Sequence, residues 1–405
     1  MRWVRVVISC LAAGAAATAW ASDAWFDRLE ERLAVSAWDD AVRARLSGIL
    51  SLEGYAISQP PPGLVFTRSN RLFNPRLALF LNGQAGPRLF GFVQARVDRG
   101  FDPATERLRL RLDEYAVTFV PRAGTALSVQ VGQFASVIGN WMARHDSWEN
   151  PFVTAPLPYE HQTSIYDSEA PLSLDDFVSF DPAEKYEYNP IIWGPSYATG
   201  AAVAGKLGRF ELALEVKNGG PSSRPELWSI RDLGFDRPAF AARLGFRPDL
   251  RWKLGFSASD SAYLAPGAEH LPAGTSWRDF RQRLLGQEVS YAWRHLQVWA
   301  EVFQVWFEVP RVGTVRTVAG YIEAKYKFNP RIYGAVRWNR QGFSALSDGA
   351  GGRVRWGSSL WRVDVAAGYR FTARLVLKLQ ASGQREAGQH ENLRMNYASQ
   401  LNLRF

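Results

Sequence analysis

Apolar or small residues recur at every second position over most of this chain. Leu46, Gly48, Leu50 and Leu52 alternate with Ser47, Ile49, Ser51 and Glu53, and Leu89, Gly91, Val93, Ala95 and Val97 interleave with Gln94, Arg96 and Asp98. Leu108, Leu110 and Leu112 stand between Arg107, Arg109, Arg111 and Asp113. The C-terminal third repeats the pattern, for example Trp361, Val363, Val365 and Ala367 against Arg362, Asp364 and Arg370. A period of two belongs to β-strands whose two faces meet different surroundings. It predicts sixteen strands, near 43–57, 74–85, 87–102, 105–121, 126–136, 195–207, 208–218, 238–248, 250–263, 278–294, 296–309, 315–328, 330–343, 359–372, 374–387 and 393–405. Before them, Asp23 to Asp40 reads as a short amphipathic helix with Trp25, Phe26, Leu29 and Leu33 on its apolar side.

Alternation alone also fits a soluble sandwich, which has one wet face per sheet. The connections separate the two. Every second one is tight, such as Ala85-Gly86, Leu207-Gly208, Arg294-His295 and Thr372-Ala373. The others are longer and rich in Gly, Pro, Ser and Asp. Short turns on one rim and long loops on the other mark a transmembrane barrel. The predicted strands also reach the ~9–11 residues that a tilted spanning strand needs. Phe210, Phe246, Trp252, Trp293, Phe328, Phe371 and Phe405 fall on the apolar phase beside the short turns, where an aromatic girdle would stand at a bilayer interface. The fold class is therefore all-β, a transmembrane antiparallel barrel of about sixteen strands.

The last strand carries Tyr397, Leu401, Leu403 and the terminal Phe405 on one face, with Ser399 at a position that is usually apolar. This resembles the C-terminal signature of bacterial outer-membrane barrels, which the barrel assembly machinery reads. With the sixteen-strand plan, the chain resembles the sixteen-stranded porins. Val131-Gly132-Gln133-Phe134 is similar to the Gly-Gln-Phe strand end of phosphate-selective porins. The resemblance implies a Gram-negative outer membrane, lipid and lipopolysaccharide around the barrel, short periplasmic turns and long extracellular loops. It implies passive passage of small hydrophilic solutes and a homotrimer, the last by analogy only.

Composition narrows the picture. The chain has 405 residues with a mean hydropathy of −0.20, an average that hides strands with one apolar and one polar face. Residues 1–21 read as a secretory signal: Arg2 and Arg5, an apolar stretch from Val6 to Thr18, and Ala19-Trp20-Ala21 before the cut. That leaves 22–42 as a short periplasmic lead-in and 43–405 as the barrel. The single cysteine, Cys10, lies in the signal, so the exported chain has no disulfide and no thiolate chemistry. The net charge of +9 is scattered along the chain, which argues against nucleic-acid binding.

The connection 137–194 is by far the longest, and its place resembles the third loop that porins fold into the lumen. It carries Asp146, Glu149, Glu160, Asp167, Glu169, Asp175, Asp176, Asp181, Glu184 and Glu187 against Arg144 and Lys185, a net charge of −8. The rest of the exported chain is then about +15. An acidic constriction loop facing a basic wall would stabilise its own inward fold and set a field across the narrowest point. The wall candidates on the lumenal phase are Arg96, Arg107, Arg109, Arg111, Lys325, Arg337, Arg362 and Arg370. Arg107, Arg109 and Arg111 form the best column, since arginine offers several donors to a carboxylate or phosphate. The bland alternative is a water-filled lumen with solvated charges of both signs. Trp141, Trp148, Pro151, Phe152, Pro156, Pro158 and Tyr159 make the loop read as rigid and packed.

No enzyme motif stands out. His145, Asp146, Glu149 and His161 lack the spacing of a metal or acid–base site, so no metal or cofactor is expected. Three functions fit: a diffusion porin with weak anion preference, a selective channel for phosphate, carboxylates or sugars, and a barrel that sheathes a periplasmic partner protein.

Overall fold

The structure, a computed structural model, describes residues 23–99, 108–122, 126–179, 187–229, 235–236, 238–387 and 393–405. The signal segment 1–21 and Arg107, Asp181, Glu184 and Lys185 lie outside the described residues. Sixteen antiparallel strands form one closed sheet: β1 Val42–Ala56, β2 Arg71–Ala85, β3 Leu89–Asp98, β4 Arg109–Phe119, β5 Ser128–Phe134, β6 Ala198–Leu207, β7 Phe210–Lys217, β8 Ala239–Phe246, β9 Trp252–Ala262, β10 Arg281–Trp293, β11 Leu296–Val309, β12 Gly313–Lys327, β13 Ile332–Phe343, β14 Leu360–Arg370, β15 Leu375–Glu386 and β16 Arg394–Arg404. Each predicted strand corresponds to one of these. Each pairs with its sequence neighbours, and β16 closes on β1 with Leu403 opposite Leu50, Leu401 opposite Leu52 and Tyr397 opposite Ala56. Phe405 exchanges backbone hydrogen bonds with Gly48 (2.8 and 3.0 Å), so the terminal residue completes the seam.

Burial is inverted relative to a water-soluble sheet. Outward residues such as Leu110, Leu112, Val131, Leu212, Phe240, Ile322 and Val365 are exposed, while inward Glu53, Asp113, Glu288, Glu301, Glu323, Arg337 and Asp364 are buried. A closed sheet is what hydrocarbon demands, because no water there can satisfy a free strand edge. The aromatic girdle forms at the short-turn rim as ring pairs: Phe210–Phe246 at 5.0 Å, Trp252–Tyr291 at 4.5 Å and Tyr369–Phe371 at 4.8 Å between centroids. The loop rim is less uniform than the sequence pattern predicts. β11 and β12 are joined by Pro310-Arg311-Val312 alone, with Arg311 at φ +60°.

The N-terminal segment also differs from expectation. Helix α1 spans Asp23–Arg32 only, and Ala34–Ala37 then pairs with Val42–Arg45 of β1. The reason is β1's length. Its pairing with β16 begins at Ile49, so the earlier residues would have an unpaired edge had the chain not folded back on it. Arg374, in the β14–β15 turn, ties α1 to the rim through Glu30 and Asp27, and Arg45 reaches Glu30 at 2.9 Å.

The strand end Val131–Phe134 has a local cause. A β-bulge inserts Asp113 into β4, so Gln94 faces Glu114 while Ala95 faces Leu112. Gln133 Nε2 donates to the carbonyls of Leu112 and Asp113 (3.3 and 2.8 Å) and so occupies the acceptors at the irregularity. Gly132 sits at φ +141°, where a Cβ would fall 2.2 Å from the Tyr115 carbonyl oxygen and 2.6 Å from Ala116 Cα. Only glycine accepts both that conformation and that approach.

Two outcomes test these features. Gly132→Val prevents the β4–β5 pairing, and the heat-modifiable electrophoretic band of the folded barrel should be lost or strongly reduced. For α1, the Arg374 hydrogen bond holds the Glu30 carboxyl below its ordinary range despite partial burial. A depressed pKa contributes docking strength above the ordinary carboxylate range that is lost as pH falls through the depressed value. Amide exchange over Asp23–Arg32 should therefore be slow at neutral pH and speed up in acid, relative to the neighbouring strand.

Candidate pore and its constriction

The connection from β5 to β6 turns into the barrel and is bonded to inward residues from β7 round to β16. At its start, Ser136 Oγ and Val137 N donate to Glu215 on β7 (2.7 and 3.1 Å). The backbone amides of Asn140 and Trp141 and the Tyr159 hydroxyl all donate to Glu301 on β11, the last at 2.7 Å. Burial pushes the Tyr159 hydroxyl well up, so it stays protonated and keeps donating. Gly139 (φ +78°) passes so close that a Cβ would lie 2.4 Å from that hydroxyl.

Further along, Lys378 donates to the carbonyls of Ser147 and Asn150, and Asn402 donates to the Ser147 carbonyl at 2.9 Å. Gln380 accepts from the amides of Val153 and Thr154 (2.7 and 3.2 Å), and Asn339 accepts from Leu157 N at 3.2 Å. Ile138, Trp141, Leu157, Tyr159, Ile165, Ile191 and Ile192 pack against Phe303, Val305, Phe307, Val315 and Tyr321 of the wall in one apolar cluster. The loop thus fills the β10–β16 side of the lumen.

Charges link loop and wall in an alternating chain. Arg144 of the loop meets Glu323, Glu323 meets Arg337 (3.6 Å), Arg337 meets Asp364 (2.8 Å), Asp364 meets Arg362 (3.1 Å), and Arg362 returns to Glu160 of the loop. Arg337 also donates to the Thr154 carbonyl (3.1 Å) and lies over the Phe152 ring at 4.2 Å. The buried members are neutralised by opposite neighbours on each side, the condition under which buried ions are tolerated.

This is not the acidic loop on a basic wall that charge counting implied. Among the described residues, Glu160 is the loop acid ion-paired to a wall arginine. Asp146 accepts from the amides of Trp148 and Glu149 (2.7 Å each), and Asp176 accepts from Leu172 N (2.7 Å). Asp167 pairs with Arg224 of a neighbouring loop at 2.8 Å, and Glu169 faces His270 at 3.8 Å. Glu149 and Asp175 are exposed. The wall acids Glu215, Glu301 and Glu323 are the principal loop anchors.

The arginine column is also compensated locally. Arg96 pairs with Asp113 (2.8 Å), and Arg111 pairs with Asp98 (2.9 Å) and Asp113 (2.6 Å). Arg109 is exposed opposite Asp98, and Arg107 lies outside the described residues. Lys325 stands over the Tyr333 ring at 4.6 Å, and Arg370 over Trp148 at 5.6 Å.

Between the loop and strands β1–β4 remains a cavity of about 210 Å³, bordered by Glu53, Arg76, Arg96, Asp98 and Arg111 on the wall and by Asp146, Asn150, Thr154 and Glu160 on the loop. His145, also at its edge, places Nδ1 2.6 Å from the Met142 carbonyl and Nε2 2.6 Å from the Tyr197 hydroxyl. Burial lowers its pKa, which favours a neutral ring that donates to Met142 and accepts from Tyr197. A second space of about 410 Å³ opens among the long loops, near Pro60–Pro62, Ser358, Gln384 and Asn396. A third, of about 490 Å³, lies at the short-turn mouth between Arg43, Arg45, Asn82 and Phe90. Among the described residues no cluster of His, Cys, Asp and Glu is arranged to hold a metal ion.

Solved structures share this architecture. Salmonella typhi OmpF in complex with daunomycin superposes with a TM-score of 0.57 at 10% identity, over 92% of this chain and all of that one. The outer membrane channel DcaP of Acinetobacter baumannii gives 0.57 at 11%, over 92% of this chain and all of that one. An anion-selective porin from Comamonas acidovorans gives 0.56 at 10%, over 90% of this chain and all of that one. No protein-family model matches the chain, and no curated protein sequence matches it. The chain therefore has the sixteen-stranded barrel fold of these outer-membrane porins.

The charge chain gives a direct test. Arg337→Met removes its centre and leaves Glu323 and Asp364 each short of a partner, at a cost of about 3–5 kcal/mol. Urea unfolding should show that loss, and protease added to the folded barrel should cut within 137–194 in the variant but not in the parent protein.

Proposed function

We propose that this protein is an outer-membrane porin that passes small hydrophilic solutes through the crescent left between its third loop and strands β1–β4. The observation that supports this most strongly is the pairing of an inverted barrel with a docked loop that leaves a charged cavity open on one side. A charged cavity left open inside an apolar shell suits a passage for polar solutes, and the neighbour from Acinetobacter baumannii is a channel by name. We read no catalysis in the chain. The sheath reading loses ground because the protein's own loop already occupies the volume a threaded partner would need.

Selectivity follows from the cavity's charges. Arg76 pairs with Glu53 (2.6 Å), and Arg96 pairs with Asp113 (2.8 Å) and more loosely with Asp98 (4.0 Å), with side chains 27% and 17% exposed. Their remaining donors give a weak preference for anions, held near neutrality by the wall acids. An outer-membrane location, export by a cleaved signal and a trimeric state belong to the same proposal.

Planar-bilayer recording of the refolded protein under a salt gradient tests it. Discrete ohmic steps with a small reversal shift toward the anion are expected. Arg96→Gln, which leaves Asp98 and Asp113 in excess, should move the reversal toward the cation. A folded barrel with no steps at all overturns the reading.

A further inference from the structure

We infer that the crescent cavity binds amphipathic monocarboxylates built on a single ring, of the benzoate type, as they pass. This rests on the pore reading above and names its solute class. The cavity is divided chemically. Leu64 and Phe66 of the first loop and Leu72 and Phe80 of β2 give it an apolar, partly exposed side. Arg76, on the same inward face of β2, and Arg96 of β3 give it guanidinium groups.

Register fixes the spacing. Phe80 faces Gln94 and Ala78 faces Arg96, so Arg96 is the diagonal neighbour of Phe80, about 7–8 Å away. That is the reach of one aromatic ring with its carboxylate. Ala78, directly opposite Arg96, lines the same cavity. Phe80 already stacks on Phe92 (6.2 Å between centroids, 24° between planes), so a solute ring at Phe80 would extend an existing stack. A cavity of about 210 Å³ has room for one ring and its carboxylate. Phosphate, acetate or a sugar would leave the apolar side unused, and a neutral aromatic would leave the arginine donors unused.

The test compares benzoate, acetate and benzyl alcohol as blockers of chloride current through the full-length protein in a planar bilayer. Benzoate should interrupt the current at concentrations about tenfold lower than acetate, and benzyl alcohol should not match it. Phe80→Ala should bring benzoate down to the level of acetate, and Arg96→Gln should bring it to the level of benzyl alcohol. Equal block by acetate and benzoate, or by benzyl alcohol and benzoate, overturns the inference and leaves the pore standing. Quenching of tryptophan fluorescence by the same three probes in detergent gives a readout independent of current, since Trp141 borders the cavity. A folded but silent barrel that still binds benzoate over acetate would overturn the pore and keep the site.

Discussion

Hydrocarbon offers a backbone amide no partner, so each strand that crosses it must be paired on both edges. That requirement accounts for the order of this fold. The sixteen strands pair in sequence until β16 meets β1, and the terminal Phe405 closes the seam against Gly48. Where β1 outruns β16, the chain folds Ala34–Ala37 back onto the uncovered edge rather than continuing α1. Closure also creates the interior, and with it a place where charge can be held away from lipid.

What fills that interior is a second folding problem, solved with different forces. The outer surface is governed by apolar contact with the membrane. The β5–β6 loop is held by hydrogen bonds and ion pairs to inward strand residues, strengthened by their withdrawal from bulk water. The chain from Arg144 to Glu160 through Glu323, Arg337, Asp364 and Arg362 shows why both signs are needed on both partners. A uniformly acidic loop on a uniformly basic wall would attract, but would leave backbone donors such as those of Asn140 and Trp141 unmet. Glu301 supplies their acceptor. The loop packs one side of the lumen and leaves β1–β4 as the open wall, so the residues that line the remaining cavity come mostly from the first quarter of the barrel.

The architecture was legible in the sequence because a membrane strand writes its environment into every residue. Leu108, Leu110 and Leu112 must face lipid, and the arginines between them must not. The turn-side aromatics were legible for the same reason. The bulge at Asp113 was hidden, because an inserted residue in β4 interrupts the period without any residue type that announces it. Val131–Phe134 carried a trace of it, in a glycine with no room for a side chain and a glutamine that satisfies the bulge's carbonyls.

The sequence by itself determined which face of each strand meets lipid, that there are about sixteen strands and that one loop is far longer than the rest, since these follow from local period and spacing. The tertiary structure alone decided which charges meet. Glu160 and Arg362 are distant in the chain, and Arg96 is answered by Asp113 from the next strand rather than by the loop. Charge counts along a sequence give totals. Pairing depends on distances of a few ångströms, and those exist only once the barrel has closed and the loop has docked inside it.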